Sequence, residues 1–236
     1  MKKNKFVKKT KLRRILNVYK VICLVLVGLL IFSFKAYADK KTVNIVKKEI
    51  VNPNIVMLGD SITEIYNLNE FYGEDKLIVN SGISGNRIKD ISSNLKSRVY
   101  NYNPSKVFLL IGINDILWER QSSDYVYENI IDIVNKIHKK LPNTKIYIES
   151  IYPYNEECRN HFGDDAPYNS EVFDVIKDVN NRLEKFSNEE SFTEYIDVYN
   201  KLKNEDGAFD LKYSYDGLHP NEEGFKVITE ILKKYM

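Results

Sequence analysis

The chain has 236 residues, 43% of them hydrophobic, 12% aromatic and 29% charged, with a formal net charge of +2. That length suits one sizeable domain beside a targeting segment, and this apolar and aromatic content excludes an intrinsically disordered chain. The near-neutral charge hides a division: residues 1–38 hold ten Lys or Arg and no acid, which leaves 25 basic against 33 acidic residues, a net −8, in the rest. An acidic body argues against nucleic acid as a partner.

The basic head reads as a targeting signal. A basic stretch ends at Lys20, residues 21–34 form an uncharged apolar run, and Lys35-Ala36-Tyr37-Ala38 carries the A-x-A pattern that precedes signal-peptidase cleavage. A run of 14 residues is short for a membrane-spanning helix, which needs about 20, and suits a signal-peptide core. With snorkelling lysines at its ends, the segment 18–37 also serves as a single membrane anchor, and the sequence leaves both readings open. In either case the body is expected outside the cytoplasm, secreted or held at the cell surface. Residues 39–52 read as a linker and 53–236 as the domain. Cys23 lies in the apolar run, so Cys158 is the one cysteine of the body and no internal disulfide is expected.

Beyond the linker, short apolar runs alternate with helical patterns. Residues 55–58 form the first predicted strand, ending at Gly59-Asp60-Ser61, and a helix is expected over 61–70. The second strand, 77–79, runs into Asn80-Ser81-Gly82-Ile83-Ser84-Gly85-Asn86 and a helix over 87–100. Residues 107–113 are the most apolar run and so the expected central strand, leading into Gly112-Ile113-Asn114-Asp115. The helix over 123–140 places Val126, Ile130, Ile133, Val134 and Ile137 on one face, with Ser123 or Asp124 as cap and Leu141-Pro142 as stop. The fourth strand, 146–151, stops at Pro153, and a helix over 169–187, a strand over 195–198 and a helix over 221–235 complete the pattern. Strands alternating with helices predict an α/β fold: a five-stranded parallel sheet in a three-layer α/β/α sandwich of flavodoxin-like order. Ligands of such sheets bind beyond the carboxyl ends of the strands.

Those ends carry residues suited to acyl transfer. Ser61 projects from a glycine-permitted turn, although a helix N-cap is an equally simple reading of that serine alone. The glycines around Gly85 can aim backbone N–H groups at an anion, or make an ordinary turn. Asn114 offers a fixed donor for an oxyanion, or caps the next segment. In Asp216-Gly217-Leu218-His219-Pro220, a carboxylate three residues before an imidazole can hold one ring nitrogen and leave the other for a serine. His138, at a helix end beside two lysines, reads as solvated, and His161 lies in a polar loop.

Taken in order, Gly-Asp-Ser, the glycine turn, Gly-x-Asn-Asp and Asp-x-x-His resemble the four blocks of the SGNH hydrolase family, the GDSL-type esterases and lipases. The resemblance covers about residues 54–235. It implies a serine ester hydrolase with Ser61 as nucleophile and His219 and Asp216 completing a catalytic triad. It further implies an oxyanion hole from the N–H groups of Ser61 and Gly85 and the side chain of Asn114. The first block reads Gly-Asp-Ser-Ile where the family has leucine last.

Trp118 and the segment 152–168 are expected to overhang this site, with Trp118, Tyr152 and Tyr154 as substrate contacts. Their aromatic and polar character favours a short acyl group on a polar carrier, such as an acetylated wall or surface glycan, over a long-chain lipid; packing of the loop is the plainer alternative. No cofactor is expected, and His161, Asp164 and Asp165 lack convincing metal-ligand spacing. Two other classes fit the same residues: an acyltransferase, and a glycan-binding domain that has lost catalysis.

Overall fold

Val56, Leu58, Val107, Leu109, Ile146 and Ile148 lie on three adjacent strands and are all at most 1% exposed, as expected of a sheet covered on both faces. In the computed structural model of the protein, the residues described are 54–73, 77–163 and 169–236, together with Ser33 and Lys35. The predicted targeting segment and linker otherwise lie outside them. The chain divides into two compact units, 1–51 and 52–236, and the sheet with its helices belongs to the second. Among the described residues, no helix is long and apolar enough to cross a membrane.

The five strands are β1 (Ile55–Gly59), β2 (Ile78–Gly82), β3 (Lys106–Leu110), β4 (Lys145–Glu149) and β5 (Thr193–Ile196), all paired in parallel in the order β2-β1-β3-β4-β5. This is the predicted flavodoxin-like order, with the most apolar strand at the centre. Helices α1 (Ser61–Glu64), α2 (Leu68–Tyr72), α3 (Ile88–Arg98), α4 (Ile113–Leu117), α5 (Ser123–Lys140), α6 (Glu157–Phe162), α7 (Ser170–Glu189), α8 (Tyr199–Leu202) and α9 (Glu222–Leu232) connect or follow them. On one face α5 packs between α3 and α7, its apolar stripe of Val126, Ile130, Ile133, Val134 and Ile137 fully buried. The opposite face carries Met57, Phe108 and Tyr147, alternate to the first set. There Phe108 stacks on Tyr147 at 4.7 Å, and Phe225 of α9 stacks on Tyr66 at 4.7 Å.

The structure departs from the sequence expectation at several points; the fifth strand, for one, starts at Thr193, and Ser122 rather than Ser123 or Asp124 caps α5. The expected helix over 61–70 is broken in two, because Nδ2 of Asn80 lies 2.7 Å from the Thr63 carbonyl and 3.1 Å from that of Tyr66. Those bonds terminate α1 from outside it. The third strand ends at Leu110 rather than 113, because Gly112, at φ +123°, turns the chain into α4. That backbone conformation strains any side chain, and a Cβ there would in addition lie 2.9 Å from Ile151 Cδ1, so glycine is favoured. His138, expected to be solvated, is half-buried and stacked on Phe192 at 3.7 Å.

Candidate active site

The turn from β1 into α1 sets the first functional group. The cap of α1 is Asp60, whose Oδ1 accepts from the Ile62 N–H at 3.0 Å. The cap reading of Ser61 is thereby displaced by its neighbour, and the Ser61 hydroxyl lies 2.9 Å from Nε2 of His219. The other ring nitrogen, Nδ1, is 2.7 Å from Oδ2 of Asp216. Oδ1 of the same carboxylate accepts from the N–H groups of Leu218 and His219 at 2.9 and 2.7 Å, which fixes its rotamer.

The loop bearing this pair is fastened on both sides. The Ser214 hydroxyl donates to the His219 carbonyl and accepts from the Gly217 N–H, both at 2.9 Å. The Asn155 N–H donates to the Gly217 carbonyl at 2.7 Å, and a Cβ on Gly217 would lie 2.7 Å from the nitrogen of Cys158. The imidazole is therefore placed by α6 on one side and by the start of α9, capped by Asn221, on the other. Partial burial of Asp216 disfavours its charge, yet the hydrogen bonds from the His219 ring and from the N–H groups of His219 and Leu218 outweigh this and hold the carboxyl at about 2. Cys158 is buried with a free thiol pushed up to about 12 by burial and by Asp216, which makes it packing rather than a nucleophile.

The expected anion-binding groups have donors to spare. Among the described residues, the N–H groups of Ser61 and Gly85 donate to no internal acceptor. Asn114 is oriented by two partners: its Oδ1 accepts from the Trp118 indole at 3.1 Å, and its Nδ2 donates to the Asn86 carbonyl at 2.9 Å. An indole can only donate and a carbonyl only accept, so the amide is fixed and one N–H of Nδ2 remains available. Asp115, its neighbour, does a different job. Its carboxylate accepts from the Ile88 N–H at 3.1 Å and so ties the turn to the start of α3.

Of the expected substrate contacts, only Trp118 stands at the site. Tyr152 and Tyr154 are 2% and 0% exposed, and the expectation that they overhang the site is corrected. The chain leaving β4 runs inward rather than over the top: the Tyr152 hydroxyl donates to buried Glu149 at 2.5 Å, and the Tyr154 ring stacks on Phe173 at 5.0 Å. Their place is taken by Phe162 of α6, 43% exposed, whose ring lies 5.9 Å from Trp118 and 6.0 Å from His219. Asp164 and Asp165 lie outside the described residues, and His161 faces Glu157 at 3.8 Å. Among the described residues no cluster of metal-ligating side chains occurs.

Burial pushes three carboxyls near the site upward: Asp60 to about 7, against the Ile62 N–H; Glu149 to about 7, against the Tyr152 hydroxyl; and Asp115 to about 6, against the Ile88 N–H. The folded protein therefore holds protons there that the unfolded chain releases near pH 4. Stability should fall as the pH rises from about 4 to about 7 and then level off, the reverse of the Asp216 contribution, which is lost only as the pH falls towards 2. Thermal unfolding should give a lower Tm at pH 8 than at pH 5, and Glu149→Gln should reduce that difference. A Tm that rises over this interval would contradict the burial argument.

Known proteins resemble the chain across the segments that carry these groups. A model of the "GDSL-like Lipase/Acylhydrolase family" matches residues 57–227. A Streptococcus pneumonia protein described provisionally as a platelet activating factor superposes with a TM-score of 0.70 at 29% identity, covering 85% of this chain and 98% of that one. The acetyl xylan esterase AlAXEase superposes with a TM-score of 0.56 at 20% identity, covering 77% of this chain and 98% of that one. An Acetivibrio thermocellus protein provisionally named endoglucanase X is 27% identical over 148 residues, 63% of this chain. The chain spans only 57% and 40% of the length of the two curated relatives it matches. With the family match covering both the Gly-Asp-Ser turn and the Asp-x-x-His loop, the chain belongs to the GDSL-like lipase/acylhydrolase family.

Proposed function

We propose that the chain is an exported serine ester hydrolase that removes a short acyl group, acetyl above all, from a polar carrier such as a cell-wall or surface glycan. The observation that carries the chemistry is the unbroken relay from Asp216 Oδ2 through His219 to Ser61 Oγ, with contacts of 2.7 and 2.9 Å. In this reading His219 takes the hydroxyl proton as Ser61 attacks the ester carbonyl. The tetrahedral oxyanion sits between the N–H groups of Ser61 and Gly85 and the free N–H of Asn114. Collapse expels the carrier alcohol, protonated by His219, and water activated by the same imidazole releases the acid.

Support for the substrate class comes from the walls of the site and from relatives. Phe162 lies beside His219 and Trp118 beside Phe162, aromatic surfaces suited to sugar rings. Two similar proteins bear the carbohydrate-related names acetyl xylan esterase and endoglucanase. Export is supported by the basic and apolar head with its A-x-A pattern.

Two measurements test the proposal. Acetate release from acetylated glycans and from short-chain nitrophenyl esters reads the activity, with and without a glycan acceptor to separate hydrolysis from acyl transfer. A fluorophosphonate probe should label the protein but not its Ser61→Ala variant; labelling that survives this change would refute the nucleophile. Asn114→Ala should lower kcat by about 10²–10³ with little change in KM, as for other oxyanion donors.

A further inference from the structure

Arg98, the last residue of α3, is 5% exposed, and among the described residues no carboxylate forms an ion pair with it. Asp60 and Asp90 act on this buried guanidinium only from beyond contact distance, and burial still disfavours its charge, so its hydrogen bonds carry the explanation for its presence. Nη1 donates to Oδ1 of Asn86, and Nη2 donates to the carbonyls of Ser81 and, at 2.7 Å, Gly59. These oxygens belong to three separate segments. Gly59 precedes Asp60-Ser61 at the end of β1, Ser81 lies near the end of β2, and Asn86 follows Gly85 in the anion-facing loop. The Ser81 hydroxyl donates back to the Arg98 carbonyl at 3.1 Å, which locks the helix end to the strand.

Asn86 is held from both sides. Its side chain accepts from Arg98, while its carbonyl accepts from Asn114 Nδ2 at 2.9 Å. The planar fork of Arg98 thus ties the segment before the nucleophile to the residue that orients both other oxyanion donors. The loop is also held where the Ile83 N–H donates to the Gly59 carbonyl at 3.3 Å and where Glu64 accepts from the Ser84 N–H at 3.0 Å, but neither bond reaches Asn86 or Asn114.

We infer that Arg98 is a positioning residue of the oxyanion hole, acting through Asn86 to hold the Gly85 N–H and the Asn114 amide in register with Ser61. The inference rests on the reading of the site as a Ser61 esterase. Arg98 touches no reacting atom itself. Lysine preserves the charge but cannot supply several fixed donors in one plane, so it separates geometry from charge.

The test uses the full-length protein and its Arg98→Lys, Asn86→Ala and double variants. Turnover of nitrophenyl acetate and the rate of fluorophosphonate labelling are both followed, with near-UV circular dichroism to confirm the fold. Arg98→Lys should lower kcat and the labelling rate roughly 10- to 100-fold while KM stays within about threefold, a share of what a whole oxyanion donor contributes. Asn86→Ala should cause a loss of similar kind. The double variant should be no worse than the poorer single one, because both changes cut the same chain of hydrogen bonds. A purely structural arginine would instead lower Tm, leave kcat of the folded enzyme intact and combine multiplicatively with Asn86→Ala; either behaviour would overturn the inference. Should Arg98→Lys fail to fold, Asn86→Ala decides alone, since Asn86 is only half-buried, and unchanged kcat there overturns it too. Activity remaining in Ser61→Ala would indict the esterase reading instead, so the two failures are distinct.

Discussion

Ser61→Ala is expected to reduce kcat by roughly 10⁴-fold or more, and His219→Ala by a similar factor, while the folded structure is retained. The magnitude follows from the two groups acting as one unit. The hydroxyl is a poor nucleophile until the imidazole 2.9 Å away removes its proton, and the imidazole has no other acid to activate for the first step. Removing either partner leaves only what the oxyanion donors and substrate binding supply. The two losses should not multiply in the double variant. Steady-state hydrolysis of a short-chain nitrophenyl ester, with circular dichroism on the same samples, checks this. Normal turnover in either variant would remove the relay from the mechanism.

Asp216→Asn should be nearly as damaging, about 10⁴-fold in kcat, for a reason legible in its hydrogen bonds. The carboxyl is held at about 2, so at any assay pH the native residue is an anion that can only accept. In the variant the amide oxygen takes the place of Oδ1, because the N–H groups of Leu218 and His219 converge there at 2.9 and 2.7 Å. The amide nitrogen then faces Nδ1 of His219 and donates to it. That bond selects the tautomer with its proton on Nε2, which faces Ser61 and cannot accept the hydroxyl proton. Asp216→Ala, which imposes no wrong tautomer, should be the less severe change at equal folding. A ranking in which alanine is the worse of the two, with both variants folded, would show that orientation rather than tautomer choice is the role of this carboxylate.

Much of this architecture was legible because its signals are local. The five apolar runs appear as five strands in the expected order, and residues 107–110 lie in the central one as their composition required. Ser61, His219 and Asp216 meet because each follows its own element at the same end of the sheet, as does Asn114. What the sequence did not disclose depends on partners far along the chain. The break after α1 comes from Asn80, 14 residues beyond Tyr66. Nothing in the sequence singles out Arg98, and only the convergence of Gly59, Ser81 and Asn86 on its guanidinium gives it a place. Tyr152 and Tyr154 misled because an aromatic segment after a strand looks like a wall of the site. The acceptor that draws Tyr152 inward, Glu149, sits on β4 where a carboxylate is not expected to be buried. Phe162 was visible in the loop, but nothing in its spacing separated it from the other aromatics there.

The division of labour between Asp60 and Ser61 has a practical consequence. Since Asp60 caps the helix, the Ser61 hydroxyl is not needed to start it. On the proposed function, a protein lacking that one hydroxyl keeps its oriented amide, its aromatic walls and its imidazole, and cleaves what it binds far more slowly. Incubated with a mixture of cell-surface polymers, such a variant becomes a bait that holds its natural ligand intact, and mass spectrometry of the captured material would read the acyl group and its carrier together.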